Sequence, residues 1–174
     1  MTRATDKAAG IVLMGFDVDG VLTDGTLYFS SRGDEIKAFS SLDGHGLKML
    51  QRAGVEVALI SGRSSRALEL RAENLGVAEL HMGVEDKRTL LTGLAAQRAI
   101  DLSRTGYMGD DVVDLPVLRA CGFSATVADG HGEVLARVDY VATRGGGRGA
   151  VREVCDLILR AQGKWDAAMK EYLA

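Results

Sequence analysis

Asp17-Val18-Asp19-Gly20-Val21-Leu22-Thr23-Asp24-Gly25 follows directly on the apolar run Ile11-Val12-Leu13-Met14-Gly15-Phe16. An apolar run ending in two carboxylates one residue apart, and then a glycine turn, places anionic oxygens at the C-terminal end of a buried strand, where open α/β sheets hold their ligands. Such a pair suits cation-assisted phosphoryl transfer. One carboxylate can attack phosphorus, the other can carry a proton, and both can help hold a hard cation that prefers oxygen. A calcium loop also begins D-x-D, but its fifth, sixth and twelfth positions fall here on Val21, Leu22 and Tyr28, which do not fit. Two aspartates capping a turn are the plainer alternative.

Around this stretch, short apolar segments alternate with helical patterns. Periodicity predicts strands at 11–17, 55–60, 78–82, 104–108, 123–127 and 138–142, and helices at 43–53, 64–75, 86–99, 112–120 and 149–161. The βαβ rhythm predicts an α/β fold, a doubly wound, mostly parallel sheet. One piece breaks the rhythm: 26–29 and 35–39 flank the turn Ser30-Ser31-Arg32-Gly33-Asp34 and read as a projecting β-hairpin. No linker, repeat or low-complexity stretch divides the chain, and 1–174 reads as a single domain.

Bulk properties exclude several classes. A net charge of −3 gives no basic field for nucleic acid. Cys121 and Cys155 match no zinc spacing and fit a reducing compartment. The apolar run, cut short at Asp17, is too brief for a signal peptide or a membrane span, so a cytoplasmic protein is expected. His45, His81 and His131 are scattered. Gly145 to Ala150 fits a G-x-G-x-x-[GA] pattern without the strand and acidic residue that dinucleotide binding needs.

Three further segments fall where such a sheet gathers its strand ends. Ser61-Gly62-Arg63-Ser64 closes the strand V-E-V-A-L-I and can bind an anion at the next helix start, or simply cap it. Lys87 opens a helix, where a cation opposes the dipole, which hints at a task elsewhere. In Gly109-Asp110-Asp111-Val112-Val113-Asp114, three carboxylates crowd a second strand end, a costly arrangement unless a cation or hydrogen-bond network offsets it. Polymerases also carry Gly-Asp-Asp, but this chain is too short and too acidic to hold one.

The order D-x-D-G, Ser, Lys, G-D-D-x-x-D resembles the four motifs of the haloacid dehalogenase superfamily. That resemblance implies Asp17 as nucleophile, Asp19 as proton carrier, and Ser61 and Lys87 as the phosphoryl grip. It also implies Mg2+ held by Asp17, Asp110 and the main-chain carbonyl of Asp19. The runs D-V-D-G-V-L-T-D-G, K-A-F-S-S-L-D-G-H-G from Lys37, I-S-G-R from Ile60, G-D-D-V-V-D-L-P from Gly109 and G-G-G-R-G-A-V-R-E-V-C-D from Gly145 narrow it. They are similar to the capless 3-deoxy-D-manno-octulosonate 8-phosphate phosphatases of lipopolysaccharide synthesis, from about Gly15 to Gly163. Resemblance to these enzymes implies a small-molecule sugar-acid phosphate as substrate. It would be gripped by Asp19, Ser40, Ser41, Leu42, Asp43, Gly44, Lys48, Arg63, Arg71 and Lys87. It further implies a homotetramer, with no nucleic acid or membrane partner, in which the hairpin of one subunit and the C-terminal tail of another help close the site. Arg63, Arg71 and Lys48 supply more cations than a phosphate alone requires, although Arg71 can equally belong to a solvated, ion-paired helix face. A phosphatase of nine-carbon sugar acids and a non-catalytic module on the same fold are the alternatives; four intact motifs speak against the second.

Overall fold

The computed structural model describes residues 3–173. Positions 1, 2 and 174 of the expected single domain therefore lie outside the described residues. In chain order the elements are α1 (Arg3–Ala9), β1 (Leu13–Phe16), β2 (Tyr28–Phe29), β3 (Glu35–Ile36), α2 (Ser41–Arg52), β4 (Glu56–Ile60), α3 (Arg66–Leu75), β5 (Glu79–His81), α4 (Lys87–Gln97), β6 (Thr105–Met108), α5 (Leu115–Leu118), β7 (Phe123–Thr126), α6 (Gly132–Leu135), β8 (Tyr140–Val141), α7 (Ala150–Ala161) and α8 (Trp165–Lys170).

Six strands form one sheet in the order β5-β4-β1-β6-β7-β8, with every pairing parallel. β1 is central: Leu13 is in register with Glu56 on one side and Thr105 on the other. The strand order reverses at β1, so its C-terminal end faces the crevice in which doubly wound folds bind ligands. β2 and β3 pair separately and antiparallel, Tyr28 opposite Ile36. The hairpin is thus real, but its ladder is only two residues per strand, shorter than the sequence suggested.

Side chains of the central strands alternate between two apolar layers, as a period of two requires. Met14, Phe16, Val57, Leu59 and Met108 join the layer packed by α1, α2, α3 and α7; Leu13, Ala58, Ile60 and Tyr107 join the layer under α4, α5 and α6. Each fully buried large aliphatic contributes about 1.5–3 kcal/mol, which fixes the register of the parallel strands and hence which strand ends meet. Gly15 lacks a side chain because a Cβ there would lie 2.8 Å from the ring of Tyr107.

Three expectations change. The helix expected over 112–120 is a 3-10 turn at Val112–Asp114 followed by α5, because Pro116 has no N–H for a continuous ladder and opens a new first turn. α1 and α8 are short helices that the periodicity missed. The segment after Gly145, which the sequence offers as a second projecting piece beside the hairpin, packs against its own chain. Gly146 N donates to Asp129 Oδ1 at 2.9 Å, Gly147 N donates to the Val21 carbonyl at 2.9 Å, and α7 then runs through the core. No helix among the described residues is long and apolar enough to cross a membrane.

Candidate active site

The strand ends of β1, β4 and β6, with the start of α4, enclose a cleft of about 590 Å³. Its walls include Asp17, Asp19, Ser61, Arg63, Lys87, Asp110 and Asp111. Five residues singled out on four separate stretches, Asp17, Asp19, Ser61, Lys87 and Asp110, therefore meet at one place. The reason is topological: parallel strands in adjacent registers deliver their following loops to the same edge.

The loop after β1 is held by its own hydrogen bonds. Leu22 N and Thr23 N both donate to the Val18 carbonyl, and Thr23 Oγ1 accepts from the amides of Gly20 and Gly25. Gly20 has φ +96°, and a Cβ there would fall onto the Asp110 carboxylate. The glycine after D-x-D is thus what lets two acidic loops close on each other. Gly146 supports this loop from behind, since any side chain at 146 would collide with the carbonyls of Gly20 and Thr23. That packing accounts for the glycine run that superficially matched a nucleotide motif.

Lys87 explains its awkward place at a helix start. Asp86 caps α4 by accepting from Thr89 N at 2.9 Å, while the Lys87 ammonium turns inward, 2.8 Å from Asp17 Oδ1 and 2.7 Å from Asp114 Oδ1. Only 6% of Lys87 is exposed. Asp114 is wholly buried; its Oδ1 also accepts from the Tyr107 hydroxyl at 3.4 Å, and its Oδ2 accepts from the amides of Asp110 and Asp111 at 3.1 and 3.3 Å. The sequence had left the role of Asp114 open and gave no hint of Tyr107; the four-residue spacing from Asp110 was the available signal.

Electrostatics here are set by crowding. Burial, then the charge of Asp114, pushes the Asp17 carboxyl up to about 7 against the pull of Lys87. Burial, then the charges of Asp17 and Asp114, does the same to Asp110, also to about 7. Burial works against the Lys87 ammonium, but Asp17 and Asp114 outweigh it and hold its pKa above the ordinary value. One lysine thus faces an excess of carboxylate. Asp17, Asp110 and Asp114 bring ligand-capable oxygens within 4.8 Å of one another, and Asp110 Oδ1 is buried with no hydrogen-bond partner. An all-oxygen donor set with an unsatisfied buried carboxylate oxygen fits a hard divalent cation and not a thiophilic one. Asp114 has partners at both oxygens and Asp17 is paired with Lys87 at Oδ1, whereas Asp110 Oδ1 has none.

Asp19 points elsewhere. Its Oδ1 is ion-paired with Lys37, which the sequence reading had not singled out for the site, and its Oδ2 lies 3.9 Å from Arg63 Nε. Its carboxylate thus faces the hairpin and Arg63, apart from the group formed by Asp17, Asp110 and Asp114. Ser61 is buried, its Oγ accepting from Arg63 N at 3.1 Å.

The remaining expected substrate contacts do not line this cleft within one chain. Ser40 caps α2, accepting from Asp43 N at 3.4 Å, while Arg71 donates to the Ser40 carbonyl at 2.9 Å and packs where a Gly44 side chain would be. Lys48 is half-buried on α2, and Ser41 and Leu42 are exposed. Asp43 departs most from the expectation. It is 1% exposed, and its carboxylate accepts from Gly149 N at 3.1 Å and Arg152 N at 2.8 Å, capping α7 from within.

Comparison with models of known protein families gives no match. Comparison with individual proteins does. The chain is 44% identical over 167 residues to 3-deoxy-D-manno-octulosonate 8-phosphate phosphatase of Salmonella typhi, covering 96% of this chain and 89% of that protein. It is 45% identical over 162 residues to the enzyme of the same name from Escherichia coli K12, covering 93% and 86%. Among solved structures, that of the Moraxella catarrhalis 3-deoxy-D-manno-octulosonate 8-phosphate phosphatase with magnesium ion, phosphate ion and KDO superposes with a TM-score of 0.96 at 44% identity, covering 99% of each chain. With a superposition this close and this identity along nearly its whole length, the chain belongs to the family of 3-deoxy-D-manno-octulosonate 8-phosphate phosphatases, within the haloacid dehalogenase superfamily.

Proposed function

We propose that this protein hydrolyses 3-deoxy-D-manno-octulosonate 8-phosphate to 3-deoxy-D-manno-octulosonate and inorganic phosphate, in lipopolysaccharide biosynthesis. The observation that carries the proposal is the meeting of Asp17, Lys87 and Asp110 in one cleft of a chain 44% identical to phosphatases of that name. In the first step an Asp17 oxygen attacks phosphorus. The bond from phosphorus to the sugar oxygen breaks, and a proton from Asp19 passes to that oxygen. In the second, Asp19 takes a proton from water whose oxygen attacks the aspartyl-phosphate; the bond from phosphorus to Asp17 breaks and phosphate leaves. Ser61 and Lys87 hold the phosphoryl oxygens. Asp17, Asp110 and the Asp19 carbonyl would hold Mg2+, which when bound neutralises charge on the phosphoryl group.

Arg63, at the cleft mouth and 43% exposed in its side chain, is placed to meet the sugar carboxylate. Ser40, Ser41, Leu42, Asp43, Gly44, Lys48 and Arg71 complete the proposed grip, with Asp43 acting from behind through its hold on α7. The chain works as one phosphatase domain over 1–174 and as a homotetramer in the cytoplasm. What supports assembly is the hairpin, where Leu27, Tyr28, Phe29 and Ile36 are 42–61% exposed, more apolar surface than a two-residue ladder hides. Two free cysteines support a reducing compartment. Phosphate release from a panel of eight- and nine-carbon phosphorylated sugar acids tests the assignment: the eight-carbon 8-phosphate should give the highest kcat/KM, and preference for a nine-carbon acid would move the protein to the neighbouring substrate class.

A further inference from the structure

The proton carrier of the proposed reaction does not stand alone in the cleft. Asp19 Oδ1 is ion-paired with Lys37, which lies just past β3 on the returning arm of the hairpin. The Lys37 ammonium is also 3.4 Å from Glu35 Oε1; Glu35 receives Arg63 Nη2 at 3.1 Å; and Arg63 Nε returns to Asp19 Oδ2 at 3.9 Å. Two anions and two cations close a ring that joins the loop after β1, the hairpin and the loop after β4.

The exposures within this ring differ in an informative way. The Lys37 side chain is 2% exposed, whereas that of Asp19 is 20% exposed and that of Arg63 43%. A cation this deeply covered is expensive to desolvate unless it is fully paired, and Lys37 is not among the residues that line the cleft. It is therefore badly placed to receive a ligand and well placed to fix a neighbour. An ammonium on Oδ1 leaves Oδ2, with only the longer Arg63 contact, as the oxygen of Asp19 available for exchange. Without that pairing the Asp19 side chain could turn about its two torsions, and a proton donor out of line loses much of its effect.

We infer that Lys37, seated by Glu35, is a positioning residue that holds the Asp19 carboxyl in the orientation that delivers its proton to the leaving oxygen. The hairpin, which the sequence reading used only as cover for a neighbouring subunit, then contributes to the chemistry of its own chain. This rests on the role given to Asp19 above: the proton passes from Asp19 to the sugar oxygen as that oxygen takes the electron pair of its bond to phosphorus.

The test uses kcat/KM, which reports the first step, on two substrates. The sugar oxygen needs a proton to leave; the phenolate of p-nitrophenyl phosphate does not. Lys37→Met should lower kcat/KM for the sugar-acid phosphate by about 10²-fold, through kcat with KM little moved, and the loss should be at least about tenfold smaller for p-nitrophenyl phosphate. Lys37→Arg should recover part of the loss. Adding Lys37→Met to Asp19→Asn should cost little more than Asp19→Asn alone, because both remove one unit. If Lys37→Met does not fold, Glu35→Gln, which unseats the lysine but keeps its charge, must show the same leaving-group selectivity. Equal losses on both substrates, or full activity of Lys37→Met beside an impaired Asp19→Asn, would overturn the inference and leave the role of Asp19 standing. A fully active Asp19→Asn would overturn that role and the inference with it.

Discussion

The Lys87 ammonium lies 2.7 Å from Asp114 Oδ1, and this contact, between residues 27 apart in the chain, turns an unfavourable helix-start lysine into the cation of a carboxylate cluster. Asp114 is in turn the acceptor for the amides of Asp110 and Asp111, so a single buried carboxylate ties the lysine, the loop after β6 and the Tyr107 hydroxyl together. The arrangement leaves Asp17 and Asp110 with too little positive charge of their own, which is the condition a divalent cation relieves.

In the proposed reaction, replacing Lys87 removes a charge that holds the transferring group. Lys87→Met should lower kcat/KM by about 10²- to 10³-fold, the usual effect of losing one preorganised electrostatic contact in a water-poor site. Phosphate release under steady-state conditions reads it directly, and a loss below tenfold would remove Lys87 from the phosphoryl grip.

Asp17→Asn should abolish turnover, because an amide cannot form the acyl-phosphate bond, whereas Asp19→Asn should slow it by about 10²-fold or more. Rapid acid quench followed by mass measurement of the protein should detect a phosphorylated Asp17 in Asp19→Asn and none in Asp17→Asn. Near wild-type phosphate release by Asp17→Asn would rule out the covalent path.

Chelation should silence the enzyme and Mg2+ should restore it, with Asp110→Ala demanding far more Mg2+ for the same rate. Titration calorimetry with the metal alone separates binding from catalysis. Full activity in excess chelator would contradict the proposed metal dependence.

Asp139 offers a stability test remote from the cleft. Burial raises its pKa, but the hydrogen bonds from Lys7 and from the Ser124 amide and hydroxyl outweigh this and hold it below the ordinary 3.8. A lowered carboxylate pKa contributes stability above the unfolded value and loses it as pH falls through the folded one. Asp139→Asn should therefore be less stable at pH 7 by about 1–3 kcal/mol, and the gap should narrow below about pH 4. Urea melts at the two pH values measure both gaps; a gap that is constant with pH would mean that packing, and not charge, is what the variant loses.

Polar substitutions on the hairpin should reveal its second task. Phe29→Ser with Ile36→Ser should convert the proposed tetramer to a smaller species by light scattering and weaken substrate binding. The exposed ring and side chain are 59% and 61% accessible and lie on the hairpin that also carries Lys37. An unchanged mass would place the interface elsewhere.

The sequence by itself determined the parallel sheet, because apolar runs of strand length separated by helical periods leave few other ways to bury both faces, and all six core strands lie within two residues of their expected bounds at both ends. It also singled out Asp17, Asp19, Ser61, Lys87 and Asp110, which the fold brings to one cleft, since they fall at or just after recognisable strand ends or at a recognisable helix start. Tertiary structure decided the remainder, and the reason is distance along the chain. Asp43 looks like an ordinary first-turn acid until Gly149 and Arg152, 106 and 109 residues away, bring their amides to it. Lys37 is one lysine in a short hairpin until the fold carries it to Asp19. The glycines at 146 and 147 have no task legible in the sequence until they are packed against the backbone of Gly20 and Thr23. Local pattern encodes which element a residue joins; which atoms its side chain meets depends on the packing of elements that are remote in sequence, and in this chain those meetings pair Asp19 with Lys37, brace the loop after β1 and pair the buried Lys87.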